Sequence, residues 1–470
     1  MVPLTSQTFD VVVIGGGPGG YASALYGASA GLNIALVEKH KLGGTCLNVG
    51  CVPAKELLET ALVQRTVEHA GLFGIQAEAN GVDWSTTLER KQGIVDQLVG
   101  GLGGLLKKRK VTVFDGTGTL GADHQTVSIS GGSSGDVSIQ GDAVILAAGS
   151  QPRTIPGFPI DPKRIVTSDE LMSIEELPGS AVVIGGGAIG CEFASMMSDL
   201  GTKVTIIEAA PSILVNCDVD MVKKVERSFK KRGIDIHAGV MVSGQTTGPD
   251  GVTVTFGDNQ TVTADTVVVS IGRRPMAETL GLDATQVAVD ERGFVPVDGY
   301  CRTNVPGVWA VGDLVPTAQL AHVAFMEGMN VIKDILGEDV TPMDYDKVPW
   351  CVYTHPEVAF AGLTEAQAKE QGYDVVVSKH TYVGNARAMI VGETDGMVKV
   401  IAEKLPDGTG GRILGVHMVG PWVTEQLGQG YLAVNWEATV PEVAQFIQPH
   451  PTISEVFGET VLSLTGRSLH

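Results

Sequence analysis

The sequence of 470 residues predicts an α/β fold in which one strand–turn–helix–strand unit occurs twice. In each unit an apolar strand leads into a glycine-rich turn, a helix and a second apolar strand that ends in a glutamate. The first unit covers residues 10–38 and the second covers residues 180–208. Because a single core rarely grows past ~300 residues, the chain length predicts about three domains.

The three glycines of each turn are spaced G-x-G-x-x-G. The first glycine makes the sharp turn, the second lets backbone N–H groups approach a pyrophosphate, and the third lets the helix pack on the strand. The N-terminus of that helix then faces the anion. The two sets are Gly15, Gly17, Gly20 and Gly185, Gly187, Gly190.

A carboxylate follows each turn at the same distance. Glu38 and Glu208 both stand 18 positions after the last glycine of their unit. A carboxylate at the end of the second strand accepts hydrogen bonds from a ribose hydroxyl. The repeated pattern therefore predicts two bound dinucleotides.

Each unit also has a predicted return strand, at residues 143–148 and 266–271. Between the first unit and its return strand, the pattern predicts a helix at about 54–70, another near 85–110, and a β-rich insert around 130–135. Glycines weaken the second helix, because each costs ~1 kcal/mol in a helix interior. They are Gly100, Gly101, Gly103 and Gly104.

Cys46 and Cys51 lie five positions apart on a stretch that enters a helix opened by Pro53. A helix N-terminus lowers the pKa of nearby thiols. Two unrelated buried cysteines or a zinc site are the alternatives, although no Cys or His stands nearby at ligand spacing. Six cysteines are too sparse for a structural disulfide framework. We favour a redox pair, because the stretch directly follows a dinucleotide-binding unit.

The composition excludes several classes of protein. Hydrophobic residues make up 43% of the chain, as in a folded protein, and the net charge of -20 argues against a nucleic-acid partner. No apolar run approaches the ~20 residues of a membrane span. The polar start, Met1 to Thr8, does not resemble a secretory signal. We therefore expect a cytoplasmic protein, with a mature mitochondrial matrix form left open.

The segment GGTCLNVGCVPAK (43–55) resembles the redox-active disulfide signature of the flavoprotein pyridine nucleotide–disulfide oxidoreductases, and most of all that of the dihydrolipoamide dehydrogenases. The resemblance extends over essentially the whole chain. GVWAVGDL (307–314) and AHVAFMEG (321–328) are similar to the second flavin motif and the segment after it. YTHPEVAFAGLTE (353–365) and HPTISE (450–455) resemble the start of the interface domain and the acid–base motif.

This resemblance implies two Rossmann-like dinucleotide-binding domains plus a C-terminal α+β dimerisation domain. The implied segments are 1–150 and 279–345 for FAD, 151–278 for NAD, and 346–470 for the dimer interface. A homodimer with shared active sites is therefore expected.

The resemblance also assigns the cofactors. FAD is expected at the first glycine turn and NAD at the second. The FAD residues would be Gly15, Gly17, Gly20, Glu38, Gly44, Thr45, Lys55, Gly149, Asp313 and Ala321. The NAD residues would be Gly185, Gly187, Gly190, Glu208 and Gly272. Glu208 favours NAD on physical grounds also, since a carboxylate repels the 2′-phosphate of NADP.

The implied catalytic residues are Cys46, Cys51, Lys55, Glu192, His450 and Glu455. Cys46 would meet the substrate and Cys51 would face the flavin. Lys55 would pair with Glu192 beside the flavin. His450, oriented by Glu455, would take the proton from a substrate thiol. The implied substrate is dihydrolipoamide, free or on the lipoyl domain of a 2-oxo acid dehydrogenase complex.

Other functions remain alternatives. Glutathione reductase shares the fold and the cysteine pair, but Glu208 disfavours its NADP. Mercuric reductase and the large thioredoxin reductases carry extra C-terminal cysteines, whereas no cysteine follows Cys351 here. A structural or docking subunit with an acidic surface is a hypothesis of a different class.

Overall fold

The computed structural model of the chain describes residues 7–133 and 135–469. Its α-helices are α1 (Pro18–Ser29), α2 (Gly44–Asn48), α3 (Cys51–Glu68), α4 (Trp84–Lys108), α5 (Ser168–Leu171), α6 (Ala188–Asp199), α7 (Val219–Lys231), α8 (Ala321–Ile335), α9 (Glu365–Glu370), α10 (Ala386–Val391), α11 (Val423–Asn435), α12 (Val440–Val443) and α13 (Glu455–Ser463).

The strands follow in the same chain order. They are β1 (Gln7–Ile14), β2 (Ile34–Glu38), β3 (Thr112–Asp115), β4 (Thr117–Leu120), β5 (Thr126–Ser130), β6 (Val137–Leu146), β7 (Ser150–Pro152), β8 (Ile165–Thr167), β9 (Ser180–Ile184), β10 (Lys203–Glu208), β11 (Asp235–Ala238), β12 (Val242–Gly248), β13 (Gly251–Phe256), β14 (Gln260–Ala264), β15 (Thr266–Val269), β16 (Arg273–Pro275), β17 (Val308–Ala310), β18 (Trp350–Val352), β19 (Glu357–Gly362), β20 (Val375–Thr381), β21 (Met397–Lys404) and β22 (Gly410–Gly420).

The first sheet has the order β3-β2-β1-β6-β5-β4, and β17 also pairs with β6. Strands β3, β2, β1, β6 and β17 are parallel, and β4 and β5 add an antiparallel edge. Both faces of β1 are buried, with Val11 and Val13 in one cluster and Val12 and Ile14 in another. This two-sided burial explains why the strand is a continuous apolar run.

The second unit forms its own parallel sheet, with the order β11-β10-β9-β15-β8. A three-stranded antiparallel sheet, β12-β13-β14, precedes the return strand β15. The short strands β7 and β16 pair where the chain passes between the two units. The glycine turns follow β1 and β9, at the carboxyl ends of the two parallel sheets.

The C-terminal part forms an antiparallel sheet with the order β18-β19-β22-β21-β20. Helix α11 packs on β19 and β22, and helix α13 packs on β20 and β21. Two α/β units and an α+β C-terminal part confirm the predicted fold class. The domain boundaries stay predictions.

Several predicted elements differ in their bounds. Helix α3 begins at Cys51 rather than near residue 54, so Pro53 lies within its first turn. Helix α4 continues through the glycines at 100–104, because Leu102 and Leu106 anchor it in the core beneath β1. Among the residues outside the described ranges, Ser134 belongs to the predicted β-rich insert and residues 1–6 belong to the expected polar start.

Candidate active site

Both glycine turns open into one cavity of about 2120 Å³. Its wall combines the segment around Cys46 and Cys51 with residues from both nucleotide-binding units. The C-terminal domain contributes Trp350, Cys351 and Tyr353. Most predicted site residues line this cavity: Gly15, Gly17, Glu38, Gly44, Thr45, Cys46, Cys51, Lys55, Gly149, Gly185, Gly187, Glu192, Glu208, Gly272, Asp313 and Ala321.

The first glycine turn places its three glycines in different surroundings. Gly15 has a φ of +112°, in the region that favours glycine. A Cβ at Gly20 would lie 1.7 Å from the carbonyl oxygen of Gly15, so the third glycine is required for packing. A Cβ at Gly17 would come no closer than 3.9 Å to another heavy atom, the Cα of Gly44. The second glycine therefore borders open space in the cavity.

The second turn repeats this arrangement. Gly185 has a φ of +108°, and a Cβ at Gly190 would lie 1.9 Å from the Gly185 carbonyl oxygen. A Cβ at Gly187 would meet no heavy atom of the described residues within 4 Å. No described side chain caps the N-terminus of α1 or α6, so their first N–H groups are free to bind an anion. These features fit a dinucleotide pyrophosphate at each turn.

Backbone N–H groups hold the glutamate that follows each turn. Glu38 accepts hydrogen bonds from the N–H groups of Gly16, at 2.7 Å, and His40, at 2.8 Å. Glu208 likewise accepts from the N–H groups of Gly186 and of Ala210, the latter at 2.6 Å. The two carboxylates are thus fixed at the rims of their turns, where a ribose would lie.

Cys46 lies in α2 and Cys51 is the first residue of α3. Both are free thiols in the structure, and the Cys46 thiol donates a hydrogen bond to Cys51. This hydrogen bond, assisted by the charge of Lys55, lowers the pKa of Cys51 to about 7, although burial opposes the shift. The same hydrogen bond and burial raise the pKa of Cys46. The pair therefore holds its thiolate at Cys51.

Lys55 lies one turn along α3 from Cys51, and its Nζ is 2.8 Å from Oε2 of Glu192 on α6. The Nζ also lies 4.7 Å from the centroid of the Tyr353 ring. Glu192 accepts a further hydrogen bond, at 2.9 Å, from the N–H of Tyr353. The Lys55–Glu192 pair thus connects both nucleotide-binding units with the C-terminal domain, one helical turn away from Cys51.

Asp313 accepts a hydrogen bond from the hydroxyl of Ser150 and lies 3.8 Å from Nε of Arg273. The sequence reasoning missed Arg273, which also donates to the Ser150 carbonyl oxygen at 2.9 Å and lines the cavity. Its position after the return strand of the second unit was the available signal.

Glu327 is a second residue that the sequence reasoning missed. It is fully buried in α8 and accepts hydrogen bonds from the N–H of Gly312 and the hydroxyls of Thr317 and Tyr345, at 2.6, 2.8 and 2.9 Å. Glu327 therefore holds the turn that carries Asp313. Its place within AHVAFMEG was the signal.

His450 and Glu455 form a hydrogen-bonded pair, with 2.8 Å between Nδ1 and Oε1. The other carboxylate oxygen of Glu455 accepts from the N–H of Thr452, also at 2.8 Å. The His450 side chain is 72% exposed. Within the described part of one chain, neither residue lines the cavity that contains Cys46 and Cys51. A single subunit therefore does not bring the predicted base to the cysteine pair.

Two family models together cover most of the chain. The model described as "Pyridine nucleotide-disulphide oxidoreductase" matches residues 9–328, and that of the dimerisation domain matches residues 348–461. The chain belongs to the pyridine nucleotide-disulphide oxidoreductase family. This confirms the predicted family, and the dimerisation domain supports a homodimer.

Individual members of the pyridine nucleotide-disulphide oxidoreductase family resemble the chain over its full length. A dihydrolipoyl dehydrogenase of Bacillus subtilis is 40% identical over 98% of this chain and 99% of its own. Mitochondrial dihydrolipoyl dehydrogenase 1 of Arabidopsis thaliana is 37% identical over 99% and 92%. The chain therefore matches complete bacterial and plant relatives.

Solved structures show the same fold. LpdA of Mycobacterium tuberculosis superposes with a TM-score of 0.91 at 26% identity, over 97% of this chain and 99% of its own. The HOCl-induced flavoprotein disulfide reductase RclA of Escherichia coli gives 0.86 at 27% identity, over 96% and 99%. Within residues 7–133 and 135–469, no helix has the length and apolar character of a membrane span, and no group of three metal-binding side chains occurs.

Proposed function

We propose that this chain is a dihydrolipoyl dehydrogenase, which oxidises dihydrolipoamide to lipoamide and reduces NAD⁺ to NADH. The observation that carries the proposal is that the Cys46–Cys51 pair shares one cavity with both glycine turns. Dihydrolipoyl dehydrogenases at 37–40% identity over nearly the whole chain support the choice of substrate.

The proposed cofactors are FAD at the first turn and NAD at the second. The free N–H groups of α1 and the Glu38 carboxylate would hold the FAD pyrophosphate and ribose, and Asp313 would accept a hydrogen bond from the ribityl chain. When bound, FAD supplies a two-electron relay between the dithiol and NAD⁺. Glu208 supports NAD rather than NADP, since its carboxylate would repel a 2′-phosphate.

In the proposed reaction the chain begins with a Cys46–Cys51 disulfide. A thiol of dihydrolipoamide loses its proton to His450 of the partner subunit and attacks the sulfur of Cys46, and Cys51 leaves as a thiolate. The second substrate thiol then attacks the substrate sulfur bonded to Cys46 and closes the lipoamide disulfide. His450 of the partner subunit gives its proton to Cys46 as that sulfur leaves, and takes up the proton of the second thiol. In the mixed disulfide Cys46 has no thiol proton to donate, so the charge of Lys55 stabilises the departing Cys51 thiolate and makes Cys51 a good leaving group. The hydrogen bond from Cys46 adds to this stabilisation only after Cys46 is released as a thiol.

Two assays test this function. NADH formation from dihydrolipoamide and NAD⁺ is compared with NADPH consumption in the presence of glutathione disulfide. We expect turnover in the first assay. Turnover in the second assay alone would contradict the proposal and favour a glutathione reductase. A protein that binds FAD but turns over in neither assay would instead act as a docking subunit.

The shared site is tested by mixing two inactive variants. Cys46→Ser and His450→Gln chains, unfolded and refolded together, should form heterodimers with one intact site and regain part of the activity. Each variant refolded alone is the control. Refolded heterodimers without activity would contradict a base supplied by the partner subunit.

We also propose that the protein is cytoplasmic. As the carrier of the substrate we propose a lipoyl domain of a 2-oxo acid dehydrogenase complex. The net charge of -20 supports a basic docking partner. A pull-down with purified lipoyl domains, in low and in high salt, tests the carrier. We expect NADH formation from a reduced lipoyl domain as well as from free dihydrolipoamide, and activity on the free compound alone would contradict the carrier.

A further inference from the structure

Lys399 is a buried lysine that the proposed reaction does not use. It lies on β21 of the C-terminal sheet, and its side chain has 0% exposure. The neighbouring apolar residues Val398 and Val400 point into the core between the sheet and its helices. Lys399 points to the opposite face of the sheet, toward the second nucleotide-binding unit.

Three carboxylates surround the Lys399 ammonium group. Its Nζ lies 2.9 Å from Asp218, 2.8 Å from Asp220 and 2.9 Å from Glu365. Burial alone would lower the pKa of Lys399, but the hydrogen bonds to these carboxylates outweigh burial and raise it. The carboxylates therefore favour the charged form of Lys399.

Other charged groups complete the cluster. Lys379 on β20, the cross-strand neighbour of Lys399, lies 2.7 Å from Asp220. Lys369 lies 2.6 Å from Glu365. Three lysines thus face three carboxylates, and the cluster is neutral overall. His417, across from Lys399 on β22, is buried, which lowers its pKa, so it stays uncharged.

Asp218 connects this cluster to the second nucleotide site. It is 2% exposed and caps the N-terminus of α7, accepting a hydrogen bond from the N–H of Asp220 at 3.0 Å. The segment 209–217 runs from Glu208 to this cap. Within it, Ser212, Val215 and Asn216 line the cavity.

The same segment supports the second glycine turn itself. The N–H of Leu214 donates a hydrogen bond of 2.8 Å to the carbonyl oxygen of Gly186. Gly186 in turn donates its N–H to Glu208. Segment 209–217 is thus tied to the turn at Leu214, and the residue that follows the segment, Asp218, is tied to Lys399 on the C-terminal domain.

We propose that Lys399 is a positioning residue for the nicotinamide nucleotide, which acts by fixing segment 209–217 through Asp218. This inference rests on the proposed binding of NAD at the second turn. Without the ammonium group, the buried carboxylate of Asp218 loses its ion-pair partner. Its remaining contact with the C-terminal domain is the 3.5 Å hydrogen bond from the N–H of Glu365, so segment 209–217 is held less firmly. Among the residues that the structure describes, no hydrogen bond or ion pair of the cluster reaches the first nucleotide site or the cysteine pair.

The test uses the FAD-loaded enzyme and the variant Lys399→Met, with Lys379→Met as the matched control. Lys379 pairs with the same Asp220 from the neighbouring strand but is 41% exposed. We expect the dissociation constant for NAD⁺, measured by titration calorimetry, to rise roughly tenfold in Lys399→Met. The control should stay near the wild-type value, because exposed ion pairs contribute little.

Two further readouts separate positioning from a general loss of structure. In Lys399→Met the KM for NAD⁺ should rise while kcat, flavin content and the rate of reduction by dihydrolipoamide stay near wild type. Unchanged NAD⁺ affinity in a folded Lys399→Met holoenzyme would overturn the inference. A parallel loss of flavin and of reduction by dihydrolipoamide would overturn it too. Failure of the wild-type enzyme to bind NAD⁺ would instead refute the proposed function.

Asp218→Asn keeps the inference testable if Lys399→Met does not fold. Asparagine retains the helix cap but not the charge. We expect an intermediate loss of NAD⁺ affinity, and wild-type affinity would overturn the inference. Where both variants fold, the effect of Asp218→Asn should disappear in the Lys399→Met background, since both act through one interaction.

Discussion

The two nucleotide-binding units share one frame and differ in the chain segment after it. In the first, Gly16 donates its N–H to Glu38 and accepts from the N–H of Gly43 at 2.8 Å. In the second, Gly186 makes the same two contacts with Glu208 and Leu214. After Gly43 the chain enters helices α2 and α3, which carry Cys46 and Cys51. After Leu214 it enters helix α7, whose N-terminal cap Asp218 pairs with Lys399. The two units thus share the frame that binds a dinucleotide, and the segments that follow their glutamates differ in chemistry.

The cysteines of the two units differ in the pKa of their thiols. Cys191 and Cys217 lie in the second unit, and burial raises the pKa of both, that of Cys217 to about 12. Cys51, at a helix N-terminus beside Cys46 and Lys55, has its pKa lowered to about 7. A cysteine near a glycine turn is therefore not sufficient for redox chemistry. A second thiol and a nearby cation are needed as well.

The largest expected effect is on turnover. Cys51→Ser should abolish NADH formation from dihydrolipoamide, because no disulfide can form and residues that act as a unit fail together. Cys217→Ser, in segment 209–217 of the second unit, should leave kcat near wild type at saturating NAD⁺, because Cys217 does not line the cavity and the segment acts on NAD⁺ binding. Steady-state assays at equal flavin content make the comparison. If both variants lost NADH formation to the same extent, the prediction that only the cysteine of the first unit takes part in the reaction would be wrong.

Substitutions in the two glycine turns test whether the turns have the same structural role in both units. Gly20→Ala and Gly190→Ala should each destabilise the protein by about 1–3 kcal/mol or more, because the new Cβ meets a backbone carbonyl. Gly187→Ala should cost less than about 1 kcal/mol of stability, since its Cβ enters open space, yet it should weaken NAD⁺ binding. Chemical denaturation and NAD⁺ titration measure the two effects. A strongly destabilised Gly187→Ala protein would contradict the assignment.

Substitutions of Glu38 and Glu208 test which dinucleotide each unit binds. Glu208→Arg should weaken NADH binding by about tenfold or more, equivalent to ~1.4 kcal/mol, and should improve binding of NADPH. Glu38→Gln should reduce retained FAD without changing this preference. Flavin absorbance and nucleotide titrations report both. Loss of flavin from Glu208→Arg alone would reverse the assignment.

Thiol titration tests the electrostatic difference in the reduced protein. Since the thiolate is the reactive form, alkylation of Cys51 should accelerate as the pH rises through about 7 and then level off. Cys217 should remain slow over the same range. Cys46→Ala should move the Cys51 midpoint upward most, and Lys55→Met less. Peptide mapping after timed alkylation gives the midpoints, and an unmoved midpoint in Cys46→Ala would contradict the proposed hydrogen bond.

The smallest expected effect concerns the glycines of helix α4, since helix α7, which precedes the corresponding strand of the second unit, contains none. Gly100 is exposed in helix α4, and apart from the helix's own nearby backbone no described heavy atom lies within 4 Å of its ideal Cβ. Gly100→Ala should therefore raise the free energy of unfolding by up to about 1 kcal/mol. Urea denaturation measures the change. A decrease would contradict the expected gain in helix propensity.

Local spacing was sufficient to predict the two nucleotide-binding units. A strand, a tight turn and a helix are close in the chain, so Gly15 to Glu38 and Gly185 to Glu208 carry their geometry in their spacing. The positions of Cys46, Cys51 and Lys55 around the start of one helix are local in the same sense. The pairing of Lys55 with Glu192, 137 positions away, came only from the resemblance to a known family.

Only the tertiary structure decided the remaining contacts. Arg273 reaches Asp313, Lys399 neutralises Asp218 from another domain, and His450 lies away from the cysteine pair of its own chain. Helix α4 likewise passes through four glycines because buried leucines outweigh local propensity. These features depend on which faces of distant elements are buried against each other. Spacing along the chain specifies each element, whereas burial of charge and apolar surface between elements specifies how they meet.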